Sequence, residues 1–223
     1  MIILHHLENS RSQRILWLLE ELRLPYKIKR YERDAKTMLA PDSLRAVHPL
    51  GKSPVISDGD VVVAESGAII EYLVEKYGQG ELIPAANTPE RRQYTYWLHY
   101  AEGSAMPPLL MSLVFRKLPQ GAPLLLRPLV GAIAGKVMDV FIKPQLKNHF
   151  DFIESELGKS EWFAGPQFSA ADIQMSFPVE AAAARGGLHE ESSPGIFAFL
   201  KRIHARPAYQ RAMEKGGPFE ILG

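Results

Sequence analysis

The chain has no cysteine among its 223 residues. That absence excludes a disulfide framework, a cysteine-ligated metal and a cysteine nucleophile, and it is consistent with a cytoplasmic setting. Long apolar runs are missing too. A membrane span needs about 20 apolar residues, and the longest stretch here, residues 124–134, is interrupted by Arg127 and Pro128. The apolar opening of the chain ends at His5-His6, too short for a signal peptide, and reads as a first strand. Neither sign of charge dominates: 26 Lys and Arg face 25 Asp and Glu, a formal charge of +1. No basic surface for nucleic acid is therefore expected. There is no glycine-rich phosphate loop. His99, His149, His189 and His204 stand apart, without ligand spacing, so no metal site and no resident cofactor is expected.

What remains is an ordinary globular composition, 46% hydrophobic and 23% charged, long enough for one large or two small domains. Residues 1–6 and 26–31 read as strands. Between them Ile15, Leu18, Leu19 and Leu22 share one helical face until Pro25 stops it. A strand, a helix and a strand within about 30 residues is a βαβ unit, which predicts parallel strands. The segment 36–47 is mixed and partly helical. Asp58-Gly59-Asp60 between two apolar runs predicts a hairpin. A helix follows with Ile69, Ile70, Leu73, Val74 and Tyr77 on its inner side and Gly78 as its C-cap. Residues 1–80 thus read as an α/β domain, βαβ-α-ββα, and residues 81–88 as a linker.

From 89 onward the pattern is all helical. Thr88 predicts an N-cap with Pro89 in the first turn. Helices are expected at 89–117, 124–157, 170–185 and 193–215, with kinks or breaks at Pro107-Pro108, Pro128 with Pro144, and Pro178. Ser169-Ala170-Ala171-Asp172 is a capping box opening the third of them.

The chemistry-bearing residues cluster in the first domain. Pro54, after Gly51-Lys52-Ser53, reads either as an edge-strand start or as a cis-proline that exposes the backbone of Ser53 to a ligand. Glu65-Ser66 at a helix start reads as a cap, or as a seat for a ligand carboxylate with Glu65 facing an ammonium. Lys52, His48 and Arg11 are either solvated loop residues or carboxylate binders. Together these describe a pocket for a small peptide-like anion. Ser10 fits a capping box with Gln13, yet a hydroxyl at that helix start can also donate to a bound thiolate, with Ser12 and Asn9 as alternatives. No tyrosine precedes Tyr26, so none can serve in that turn.

In order and spacing, Gly51-Lys52-Ser53-Pro54-Val55, Glu65-Ser66-Gly67-Ala68-Ile69, Ser169-Ala170-Ala171-Asp172-Ile173 and Ala205-Arg206-Pro207-Ala208-Tyr209 resemble the soluble glutathione transferases over the whole chain. The resemblance implies a thioredoxin-like N-terminal domain and an all-helical C-terminal domain of residues 89–223. It implies a serine-type member, similar to bacterial and fungal forms, with Ser10 as the catalytic hydroxyl. Ser53 and Pro54 would meet the cysteinyl part of glutathione, Glu65 and Ser66 the γ-glutamyl end, and Lys52 with His48 the glycyl carboxylate. Met106, Leu109, Leu110 and Phe115 would wall a pocket for a hydrophobic electrophile. The implied protein is a cytoplasmic homodimer that uses glutathione as co-substrate in detoxification, with glutathione peroxidase activity as an added expectation. A non-catalytic binding or scaffold protein of the same fold is the alternative.

Overall fold

The computed structural model describes residues 1–34, 37, 39–217 and 219. Lys36, where the mixed segment was expected to begin, lies outside them, as do the last residues of the expected helical domain. The first half runs β1 (Ile2–Leu7), α1 (Ser12–Glu21), β2 (Tyr26–Tyr31), α2 (Asp42–Arg45), β3 (Val55–Asp58), β4 (Val61–Ala64) and α3 (Ser66–Tyr77). The sheet order is β2-β1-β3-β4. β1 and β2 are parallel, with Leu4 opposite Ile28, as a helical crossover requires. β3 is antiparallel to β1 and forms a hairpin with β4, Asp58 opposite Val61. Gly59 takes φ +62 in the turn, a conformation that glycine adopts without steric cost. Asp58 at this corner accepts hydrogen bonds from Lys76 Nζ and Tyr72 Oη, both at 2.8 Å, and from Tyr77 Oη. These three donors on α3 hold the Asp58 carboxyl well below the usual carboxylate range and tie the hairpin to the helix.

Residues 78–88 form neither helix nor strand. The second half is helical: α4 (Pro89–Tyr100), α5 (Met106–Gly121), α6 (Arg127–Val137), α7 (Lys143–Leu157), α8 (Ala170–Arg185), α9 (Pro194–His204) and α10 (Pro207–Gly216). Thr88 Oγ1 caps α4 by accepting from the Arg91 amide at 3.1 Å. Kinks or breaks were expected at Pro107, Pro108, Pro128, Pro144 and Pro178, but α8 continues through Pro178 and Pro128 falls in a first turn, so the outcome differs from site to site. Pro107, Pro108 and Pro144 have no N–H to give the carbonyls four residues earlier. In each case a π turn precedes the proline, Ala101–Ala105 before α5 and Met138–Ile142 before α7. Pro128 sits in the first turn of α6, where the donor is not needed. Pro178 lies inside an α8 that continues through it.

The expected helix over 193–215 is instead two helices. Pro207 starts α10 and forces Arg206 into an extended conformation, φ −70 and ψ 128, so α9 ends before it. The capping box at Ser169 forms in full, with Asp172 buried and also accepting from the Phe163 amide at 2.8 Å.

One apolar core crosses the whole chain. It joins Trp17 of α1 and Ile69 of α3 to Trp97 of α4, Ile173 of α8 and Phe199 of α9. A smaller cluster, including Met106, Leu109, Ile142, Leu146 and Phe177, lies beside it. α1 links the two halves, packing against β1 and α3 of the first and α8 and α10 of the second.

Candidate active site

The loop before β3 and the start of α3 meet above the sheet. Gly51 at φ +56 turns the chain into Lys52-Ser53, and the Ser53–Pro54 peptide bond is cis. β4 then leads into Glu65, which holds φ 71 and ψ 127 at the N-cap of α3. A non-glycine residue in that region is strained, and such strain clusters where a ligand is held. His48, Lys52, Ser53, Pro54, Glu65 and Ser66 all line one polar cavity of about 270 Å³. The sequence named these six, and the fold brings all of them together. Ser66, the buried first residue of α3, lines the cavity, and no side chain among the described residues caps the first amides of that helix. The exposed Glu65 carboxylate forms no salt bridge among the described residues.

The turn from β1 to α1 differs from expectation. Ser10 and Gln13 do not form a capping box. α1 begins at Ser12 with Arg11 as an unassisted N-cap, and the Gln13 amide group reaches away to donate to Ala212 O of α10 at 2.9 Å. Ser10 is buried, its hydroxyl donating to Leu7 O at 2.7 Å and lying 2.8 Å from Ser12 Oγ. Ser12 Oγ in turn lies 2.9 Å from His6 Nδ1. Burial first, then the charge of Arg30, lowers the His6 pKa to about 4, so this imidazole is neutral at pH 7. Neither Ser10 nor Ser12 lines the polar cavity. Ser10 is linked to it through Ser53, to whose Oγ it donates at 3.3 Å. Asn9, at φ 50, lines a second cavity.

That second cavity, about 180 Å³, is mainly apolar. Met106, Leu109 and Leu110 line it, joined by Phe177 and Leu146. Phe115 does not; it packs against the smaller core cluster instead. On α5 it lies five residues past Leu110, about 140° around the helix, and so points away.

Arg11 lines both cavities. Its Nε donates to Glu102 Oε1 at 2.8 Å, and its guanidinium lies 4.9 Å from the centroid of the Phe177 ring. Glu102 belongs to the π turn between α4 and α5 and also accepts from Arg14. Burial alone would raise the Glu102 carboxyl; the two guanidiniums outweigh it and hold it below its ordinary value. Arg14 is 1% exposed. Its Nη1 donates to Gln174 O at 2.8 Å, the α8 carbonyl that Pro178, lacking an N–H, leaves without a helical partner. Glu102 and Phe177 were not singled out from sequence. Their neighbours in the chain carry no motif, and only the helical packing brings them to α1.

The chain matches two family models, the glutathione S-transferase N-terminal domain over residues 10–76 and the glutathione S-transferase C-terminal domain over residues 124–207. It is 39% identical over 216 residues to glutathione S-transferase 3 of Schizosaccharomyces pombe, covering 96% of this chain and 88% of that protein. With glutathione S-transferase 1 of Saccharomyces cerevisiae the identity is 34% over 223 residues, covering 96% and 95%. Among solved structures, a glutathione S-transferase from Actinobacillus pleuropneumoniae superposes with a TM-score of 0.82 at 34% identity, over 99% of this chain and 95% of that one. A glutathione transferase from Phanerochaete chrysosporium in complex with oxidized glutathione superposes with a TM-score of 0.75 at 25% identity, over 96% of each chain.

Proposed function

Because this chain belongs to the glutathione S-transferase family of enzymes, we propose that it binds glutathione in the polar cavity and presents the sulfur, as thiolate, to an electrophile in the apolar one. The observation that carries this reading is the pairing of cavities: one lined by His48, Lys52, Ser53, Pro54, Glu65 and Ser66, the other apolar, with Arg11 on the wall of both. In this reading Glu65 meets the γ-glutamyl ammonium, and Ser66 with the open amides of α3 holds the adjoining carboxylate. Ser53 offers its backbone to the cysteinyl residue. Lys52 and His48 meet the glycyl carboxylate.

The sulfur then lies at the seam between the cavities. A free thiol has a pKa of about 8.5 and is mostly protonated at neutral pH. Lowering it by one unit takes about 1.4 kcal/mol of preferential stabilisation of the anion. Asn9 and the Arg11 cation supply that at the seam, assisted by the N-terminal dipole of α1. Ser10 supports the sulfur indirectly by fixing Ser53. The thiolate attacks the electrophilic carbon, a C–S bond forms, the leaving group departs with its electron pair, and the thiol proton goes to solvent. An organic hydroperoxide in the same cavity gives peroxidase chemistry. The sulfur attacks the outer oxygen, the O–O bond breaks and the alcohol leaves. A second glutathione then converts the sulfenic acid to disulfide and water. The protein acts as a cytoplasmic homodimer; the exposed Val61 and Val62 of edge strand β4 are apolar surface that a second copy would cover.

The test has two parts. Glutathione at a hundred times its Kd should stabilise the protein by about 2.7 kcal/mol in a thermal melt. The pKa of the bound thiol, read from thiolate absorbance, should rise by about one unit in Arg11→Gln and by less in Ser10→Ala. A larger rise in Ser10→Ala would return the sulfur contact to that hydroxyl. No thermal protection at millimolar glutathione would favour the non-catalytic scaffold.

A further inference from the structure

The apolar cavity has an unbalanced electrostatic wall. Two arginines line it, Arg11 at the α1 end and the exposed Arg116 from α5, and no Asp or Glu does among the described residues. Arg11 shares a single carboxylate, Glu102, with Arg14, so that partner is already oversubscribed. Arg116 forms no ion pair and no hydrogen bond with any described residue. The chain around it offers none. From Gly103 to Met138 there is no Asp or Glu, while Arg116, Lys117, Arg127 and Lys136 are all basic. The remaining lining is greasy, with Leu109, Leu146 and Phe177 among it. A small apolar chamber with an unpaired cation on its α5 wall is complementary to a molecule that is apolar at one end and anionic at the other.

We propose that the electrophile this enzyme takes is an apolar acceptor carrying a carboxylate, with Arg116 as the residue that selects for the charge. The proposal rests on the glutathione-conjugating reading above and narrows its substrate class. The reacting carbon lies toward Asn9 and Arg11, where the thiolate arrives, and the carboxylate lies toward Arg116. A guanidinium suits this role because it pairs with a carboxylate through two parallel N–H donors while keeping weak hydration beside an apolar wall.

The experiment compares 4-chloro-3-nitrobenzoate with its methyl ester. The two share ring, leaving group and reaction: the C–S bond forms as chloride leaves, and the thiol proton goes to solvent. Each kcat/KM is divided by the uncatalysed rate constant with glutathione, which removes the difference in ring activation. The corrected carboxylate-to-ester ratio should be about fivefold at low salt. It should fall toward one in about 0.5 M salt. Arg116→Gln should bring the ratio to about one, and Arg116→Lys, which keeps the charge, should retain most of it. A ratio near one in the unaltered protein, while 1-chloro-2,4-dinitrobenzene is turned over, overturns the charge preference and leaves the transferase reading standing. A high ratio that survives in Arg116→Gln overturns the assignment to Arg116. No turnover of any of the three acceptors, with no thermal protection by glutathione, removes the transferase reading and this proposal with it. Should Arg116→Gln fail to fold, Arg116→Glu decides the matter: it should bring the ratio below one, and an unchanged ratio overturns the assignment to Arg116.

Discussion

Replacing Arg14 should destabilise the fold by an amount that depends on Pro178. Arg14 sits at 1% exposure between the two halves of the chain and gives one charged hydrogen bond to Glu102 and one to Gln174 O. Burial lowers its pKa to about 10 against the opposing pull of Glu102, so it stays protonated at neutral pH. In Arg14→Met, Glu102 keeps Arg11 at 2.8 Å and is itself about one-third exposed, so no charge is stranded. The larger loss is at Gln174, whose carbonyl is left as a buried acceptor without a donor, a cost of about 1–3 kcal/mol. With the charged hydrogen bond to Glu102 added and the guanidinium's desolvation recovered, the expected total is about 3 kcal/mol.

Pro178→Ala changes that account at one point. The substituted residue brings an N–H to Gln174 O, the ordinary bond of α8. Removing Arg14 in this background should cost about 1.5 kcal/mol less, since the carbonyl keeps a partner. Urea unfolding of the two single variants, the double variant and the unaltered protein measures the difference directly. Additivity within about 0.5 kcal/mol would refute the idea that the proline creates the arginine's docking site.

Four further outcomes follow from the same geometry. Glu65→Gln should raise KM for glutathione by about ten- to a hundredfold, the worth of one charged hydrogen bond, with a much smaller change in kcat; an unchanged KM would remove Glu65 from the glutathione site. Asp172→Ala should lower stability by about 3 kcal/mol, because the Phe163 and Ser169 amides both lose their acceptor along with the cap; a loss under about 1 kcal/mol would refute this. Burial alone would raise the Glu20 carboxyl, yet hydrogen bonds from Lys215, Tyr26 and Arg211 overcome it and hold it down to about 2. The stability it contributes is therefore complete above about pH 4.5 and lost as pH falls toward 2. The docking of α10 on α1 should weaken in that window, read by fluorescence of Trp17, whose ring is 5.1 Å from that of Tyr209; the same acid response in Glu20→Gln would count against it. His6 should stay neutral down to about pH 4, visible as ring chemical shifts that do not titrate between pH 7 and that value.

What could be read from the chain in advance was whatever depends on neighbours in sequence. The six residues of the polar cavity named from the sequence lie within 48–66, on one continuous stretch of loop, hairpin and helix start. The capping box at Ser169 and the cap at Thr88 are likewise local. The misreadings occurred where a local signal met a tertiary competitor. Gln13 had the spacing to cap α1 and was taken by the α10 carbonyl of Ala212. Phe115 had the right chemistry for a pocket wall and the wrong angle on its helix. The apolar periodicity over 193–215 continued through Pro207, although the backbone could not.

The prolines explain why the rest of the site was hidden. Each removes one donor from a helix, and the sequence shows where, but the use made of the gap is decided elsewhere. Before Pro107 and Pro108 the helix widens into a π turn, and the residue carried in that turn is Glu102. At Pro178 the helix goes on, and the carbonyl it frees is Gln174 O. Arg14 takes both openings at once, while Arg11, the N-cap residue of α1, donates to the same Glu102 oxygen, Oε1. Since Arg11 also lines both cavities, the defects that prolines make in two helices of the second half fix the position of a cation in the first. A change in helix register around 101–105 should therefore alter catalysis through Arg11 before it alters the glutathione binding proposed for Glu65 and Ser66, which stand on separate elements.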